Sequence, residues 1–165
     1  MAKIGSKSIL IITSMYPSEK FPHIGMAVKD FIDAQFKSYG DELVLVTKSM
    51  SASNYITKTY KYLSLMLLTI KALIVNVIKI IHTHYMGVNF VLLWVINIIL
   101  KKKFIVTLHG SDLNLVKNTF QKKVLKIMLK RMDAIVCVGI ELAEEIERLG
   151  INKQNIHVIN LGIKI

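Results

Sequence analysis

Short apolar runs alternate with longer helical patterns from one end of this 165-residue chain to the other, and that alternation leaves few folds open. Ser8–Thr13, Leu43–Thr47, Ile80–His84, Phe104–Leu108, Ala134–Val138 and Ile156–Ile159 read as strands. They are short, uncharged apart from histidine, and rich in β-branched residues. Helical periodicity follows over Met26–Tyr39, from about Leu63 onward, over Gly87–Leu100, over Asn118–Met132, and over Ile140–Leu149, where Gly150 supplies a stop. Lys48–Tyr60 reads as an exposed polar connection, and Gly87–Leu100 as a buried helix. Strands that alternate with helices, joined by right-handed crossovers, predict an α/β, Rossmann-like three-layer domain. Its parallel sheet has about six strands. There is no internal repeat, low-complexity tract or interior linker.

Composition bears on the membrane question. Hydrophobic residues make up 53% of the chain and the mean hydropathy is +0.48, high for a small domain. No stretch reads as a span. Tyr62–Ile81 is long enough, but Ser64, Thr69, Lys71, Asn76 and Lys79 fall within an arc of about 160° on a helical wheel, which predicts an amphipathic, mostly buried helix. Val88–Leu100 is apolar but too short for a hydrocarbon layer of about 30 Å. Ile9–Ile12 is too short for a signal-peptide core. The formal charge of +11 is compatible with nucleic acid, an anionic membrane surface or phosphorylated small molecules. No nucleic-acid motif accompanies it. Lys122, Lys126 and Lys130 recur every four residues on one helix, beside Lys123 and Arg131; this stripe is a solvated face that can also meet anionic lipid heads.

Chemistry-bearing residues gather at strand ends. His109 follows Phe104–Leu108 and precedes Gly110-Ser111-Asp112, where open α/β sheets place their ligands. A hydrogen-bonded loop histidine is the plainer alternative. Gly25 opens the Met26–Tyr39 helix after a loop holding both prolines, Pro17 and Pro22. The first amides of that helix would favour an anion. His82 and His84 share a face of their strand, with no third metal ligand beside them. Cys137, the one cysteine, reads as a small core residue, and a lone cysteine cannot form an intramolecular disulfide. A reducing cytoplasm is compatible with that.

Taken in order, several of these stretches resemble the N-terminal domain of glycosyltransferase family 4, the retaining GT-B enzymes. They are Ile9–Thr13 with Met15-Tyr16-Pro17, the Gly25 loop, Ile80–Tyr85, Val106–Asp112, Ala134–Val138, and Val158–Gly162. The resemblance covers nearly the whole chain. It implies one half of a GT-B fold, with residues 1–165 as the acceptor-side domain and the C-terminal donor-binding domain absent. It also implies a nucleotide-sugar donor and a glycan or lipid-linked acceptor in cell-surface polysaccharide synthesis. His109 would lie at the reaction centre and the Gly25 amide near the donor diphosphate. Tyr16, His84 and Asp112 would lie on the acceptor side. No cofactor or metal is implied, and the enzyme would be inactive without its C-terminal half. Its expected place is cytoplasmic, peripheral on the inner face of the cell membrane. The chain departs from the family pattern in three places. Gly25 stands alone where many members have adjacent glycines, Gly139 stands where serine is frequent, and Asn160-Leu161-Gly162 replaces Pro-Asn-Gly. A non-catalytic binding or docking module with the same fold is the alternative, and a nucleic-acid-binding domain ranks last.

Overall fold

The computed structural model describes residues 7–48, 54–111, 113 and 118–160. Six strands, β1 (Ile9–Thr13), β2 (Leu43–Thr47), β3 (Ile80–His84), β4 (Lys103–Leu108), β5 (Ala134–Cys137) and β6 (Ile156–Val158), alternate with five helices. These are α1 (Met26–Tyr39), α2 (Tyr55–Val75), α3 (Val88–Leu100), α4 (Thr119–Leu129) and α5 (Ile140–Arg148). The strands form a parallel sheet in the order β2-β1-β3-β4-β5-β6, flanked by helices, as the alternation predicts. The backbone divides into two compact units, the first ending at His82 and the second beginning at Thr83.

In the first unit, β1 pairs with β2 from Ile9–Leu43 to Thr13–Thr47. Leu10 and Ile11 are completely buried, as are Val28 and Ile32 on the inner side of α1. Each such aliphatic side chain contributes roughly 1.5–3 kcal/mol relative to exposure. The Ser8 carbonyl accepts from the Lys79 and Ile80 amides at 2.8 and 3.1 Å and so fastens the start of β3.

In the second unit, β4 pairs with β5 from Ile105–Ala134 to Leu108–Cys137, and β5 with β6 from Ile135–Ile156. Phe90 packs on Phe104 with ring centroids 5.6 Å apart. Leu125, Met128 and Leu129 of α4 and Leu142, Ala143 and Ile146 of α5 face inward. Asp133 pins the entry of β4, accepting from the Phe104 amide at 2.8 Å and from Lys103 Nζ at 2.9 Å.

Three expectations fail. The connection expected over Lys48–Tyr60 is partly helical, because α2 starts at Tyr55. Asn54 Oδ1 caps the Thr57 amide at 2.9 Å while Thr57 Oγ1 accepts from the Asn54 amide at 3.3 Å. This reciprocal cap is hard to read when threonine replaces the usual Glu or Gln. The single polar arc on α2 also fails. Thr69 lies on the buried face with Leu65 and Ala72, its hydroxyl satisfied by donating to the Leu65 carbonyl at 2.8 Å. Leu63, Leu67, Leu68 and Ile74 are exposed instead. Finally, α3 is only half buried: Phe90 and Leu93 face the core, whereas Val91, Leu92, Val95, Ile98, Ile99 and Leu100 face outward. No helix among the described residues is long and apolar enough to cross a membrane.

Candidate functional site

The first unit brings Tyr16 and Gly25 together. Thr13, the last residue of β1, fixes the following turn: its Oγ1 accepts from the Met15 amide at 3.1 Å and donates to the Met15 carbonyl at 3.0 Å. Gly25 lies against this turn in the left-handed region, at φ 75°. A Cβ there would stand 2.6 Å from the Met15 carbonyl oxygen and 2.9 Å from the Tyr16 nitrogen, so only glycine fits. The glycine is therefore the N-cap of α1, and no side chain caps that end. The amides of the first turn give a partial positive end beside the Tyr16 loop. One turn on, Lys29 forms an ion pair with Asp33. Burial, then Asp33, raise the Tyr16 phenol above its ordinary pKa, against a smaller opposing effect of Lys29. Tyr16 is thus a neutral hydrogen-bonding group at working pH. Also in this unit, His82 of β3 is buried and its Nδ1 lies 3.2 Å from Gln35 Nε2 of α1.

The second unit brings His84 and His109 together. His84 ends β3 and is buried, and its Nδ1 lies 3.3 Å from His109 Nε2, just past β4. Tyr85 stacks on the His109 ring: the two centroids are 4.2 Å apart at 21°. Tyr85 reaches this position through a positive φ of 68°, uncommon for an aromatic residue, with its amide donating to the Thr107 carbonyl at 3.1 Å. Burial lowers the His109 pKa from 6.5 to about 4. The imidazole is therefore neutral near pH 7 and fixed in orientation, able to hydrogen-bond a hydroxyl but not to act as a fixed cation. Gly110 follows at φ 81° and opens the turn. Asp112 lies outside the described residues.

These placements acquire meaning from a family match. The model of Glycosyltransferase Family 4 matches residues 33–165. The chain belongs to glycosyltransferase family 4. His84, His109 and Asp112 fall inside the matched stretch, whereas Tyr16 and Gly25 precede it. Among solved structures, the chain is similar to Anabaena Alr3699/HepE in complex with UDP, at 13% identity and a TM-score of 0.64. That match covers 95% of this chain and 44% of HepE. The complex of the same protein with UDP-glucose matches at 12% identity and a TM-score of 0.63, over 94% of this chain and 44% of HepE. At such identities the likeness is one of fold, and this family 4 chain spans less than half the length of HepE. No curated protein sequence matches it significantly.

The sequence did not announce that Tyr85 stacks on His109 or that Lys29 pairs with Asp33. The i, i+4 spacing of Lys29 and Asp33 was a usable signal for their pairing. Nothing local marks Tyr85 for stacking, since its positive φ arises from the fold. Cys137 is a core residue, as expected. It is buried, and burial pushes its thiol up to about 11, which suppresses thiolate chemistry at neutral pH.

Proposed function

We propose that this chain is the acceptor-side half of a retaining glycosyltransferase that moves a sugar from a nucleotide-sugar donor to a glycan or lipid-linked acceptor in cell-surface polysaccharide synthesis. Family membership supports sugar transfer. The observation that carries the residue assignment is the held, neutral imidazole of His109 just past β4.

In this reading the bond between the anomeric carbon and the diphosphate oxygen breaks, the same carbon joins an acceptor hydroxyl oxygen, and the hydroxyl proton passes to the departing diphosphate. The departing diphosphate takes up negative charge and needs positive potential. The uncapped α1 amides beside Gly25 supply part of it, and Lys29 stands one turn further on. His109 orients the transferred sugar through a hydrogen bond, with its own orientation set by His84 and Tyr85. Tyr16, His84 and Asp112 belong to the acceptor side. A helix end contributes only about 0.3–1 kcal/mol when exposed, against barrier reductions of about 8–23 kcal/mol typical of enzymes. The remaining donor contacts come from a C-terminal donor-binding partner, and residues 1–165 alone transfer no sugar at a useful rate. The protein works in the cytoplasm, peripheral on the inner membrane face, with the lysine stripe of α4 toward anionic lipid.

The test is His109→Ala in the enzyme reconstituted with its donor-binding half. Turnover falls by about 10²-fold or more if the imidazole stabilises the transition state, with the fold intact by circular dichroism. Normal turnover returns His109 to a purely structural role. Absence of transfer by the wild-type pair with every donor and acceptor offered favours a non-catalytic binding module.

A further inference from the structure

Helix α3 presents an unusual outer surface. Val91, Leu92, Val95, Ile98, Ile99 and Leu100 are exposed, Ile99 to 80%. Positions 91, 95 and 98 follow the i, i+4, i+7 spacing of one helix face. A helix on a soluble surface carries charge there, yet α3 has no charged residue from Val88 to Leu100. Its thirteen residues are too few to span a bilayer.

The charge stands at its end. The chain leaves α3 through Lys101 in a left-handed conformation, φ 50°. Asn97 fixes this exit, its Nδ2 donating to the Lys102 carbonyl and its Oδ1 accepting from the Lys102 amide, both at 2.9 Å. A cavity of about 320 Å³ opens there, with Trp94, Asn97, Lys102, Arg131 and Asp133 among its walls. The Arg131 guanidinium lies over the Trp94 ring, 5.3 Å from its centroid. Asp133 is engaged by Lys103 at 2.9 Å. Among the described residues, Lys101, Lys102 and Arg131 have no carboxylate at ion-pair distance. The buried Trp94 indole N–H likewise has no acceptor there.

We infer that this corner docks an anionic phospholipid of the bilayer, with acyl chains against the outer face of α3 and the phosphate in the cavity beside Lys102 and Arg131. Charge complementarity selects the occupant. The cavity wall holds Trp94 and three cations without ion pairs among the described residues, and the residues of α3 described as exposed are all apolar, a combination that suits a helix lying in the membrane interface. A second copy of this chain would bring the same +11 charge to the rim. The inference rests on the membrane-surface part of the proposed function and gives it a different anchoring element from the α4 stripe.

Trp94 is the single tryptophan, so its emission reports the corner directly. The 165-residue chain is mixed with vesicles of phosphatidylglycerol or phosphatidylcholine, without donor or acceptor. Phosphatidylglycerol vesicles shift Trp94 to the blue, and bromine on their acyl chains quenches it; phosphatidylcholine binds far less. Ile99→Asp and Val95→Asp, exposed positions that should fold normally, each weaken binding about tenfold or more. Arg131→Glu weakens it by at least about fivefold, while Lys153→Glu, at an exposed position before β6, leaves the quenching of bound protein in place. If the chain sediments with anionic vesicles but Trp94 is not quenched, the α4 stripe is the anchor: the membrane reading stands and this inference falls. Failure to bind any vesicle removes both and leaves sugar transfer to be judged with a soluble acceptor. An equal Trp94 response to inorganic phosphate alone, or a dimer that Ile99→Asp dissolves, also overturns the proposal.

Discussion

His109 combines two properties that a strand-end histidine need not share: a partner that fixes its ring and a pKa lowered to about 4 by burial. The unfolded chain, with its histidine at the ordinary 6.5, binds more protons than the folded one between these values. The group therefore costs nothing above about pH 6.5 and destabilises the fold increasingly as pH falls toward about 4, by up to about 3 kcal/mol for a shift of this size. Urea denaturation across pH 4–7 should show this loss, and His109→Gln should flatten it by about one proton. The same neutrality predicts a transfer rate whose acid limb does not show an ordinary histidine titration near 6.5, checked by a pH–rate profile against His109→Asn. Gly25 allows a second residue-level expectation. Gly25→Ala must place a Cβ against the Met15 carbonyl at positive φ, and should cost at least about 1–3 kcal/mol in thermal or urea denaturation. His109 and Gly25 were both legible as residue types at strand ends and helix starts. The stacking by Tyr85 was not, because it depends on one backbone angle that no neighbouring residue announces.

At the scale of elements, the strands were the most legible part. The runs at Ser8–Thr13 and Phe104–Leu108 became β1 and β4 to within one residue, because a strand buried on both faces is a nearly continuous apolar run. Helices were harder. The start of α2 was hidden by a cap built from Asn54 and Thr57, and its facing by a threonine that satisfies its own hydroxyl inside the helix. Asn54→Ala should remove that cap at a cost of about 1 kcal/mol, visible as a lower denaturation midpoint with an unchanged slope. The facing of α3 was hidden for another reason: with apolar residues all round, periodicity cannot distinguish core from surface. Asn97→Ala should cost about 1–2 kcal/mol by releasing both contacts to Lys102, and amide exchange should then quicken at the end of α3.

For the molecule as a whole, the six-stranded parallel sheet follows from alternation and crossover handedness, whereas the order β2-β1-β3-β4-β5-β6 comes from the structure, because local sequence does not say on which side of a strand the next one pairs. Membership of glycosyltransferase family 4 was legible through the order and spacing of separate stretches, although no single one of them would have sufficed. The catalytic constellation is less legible, since its donor contacts are proposed to come from another domain. Under the proposed function, residues 1–165 supply the acceptor-side wall, with His109 at the reaction centre, and need a donor-binding half for chemistry. The most direct measurement is transfer of radiolabelled sugar from a panel of nucleotide sugars to a lipid-linked acceptor, by the chain alone and by the chain with a donor-binding half. No useful turnover is expected from the chain alone, and turnover with the partner should retain anomeric configuration and collapse with His109→Ala. Turnover by the isolated 165 residues, or a reconstituted enzyme indifferent to His109, would contradict it.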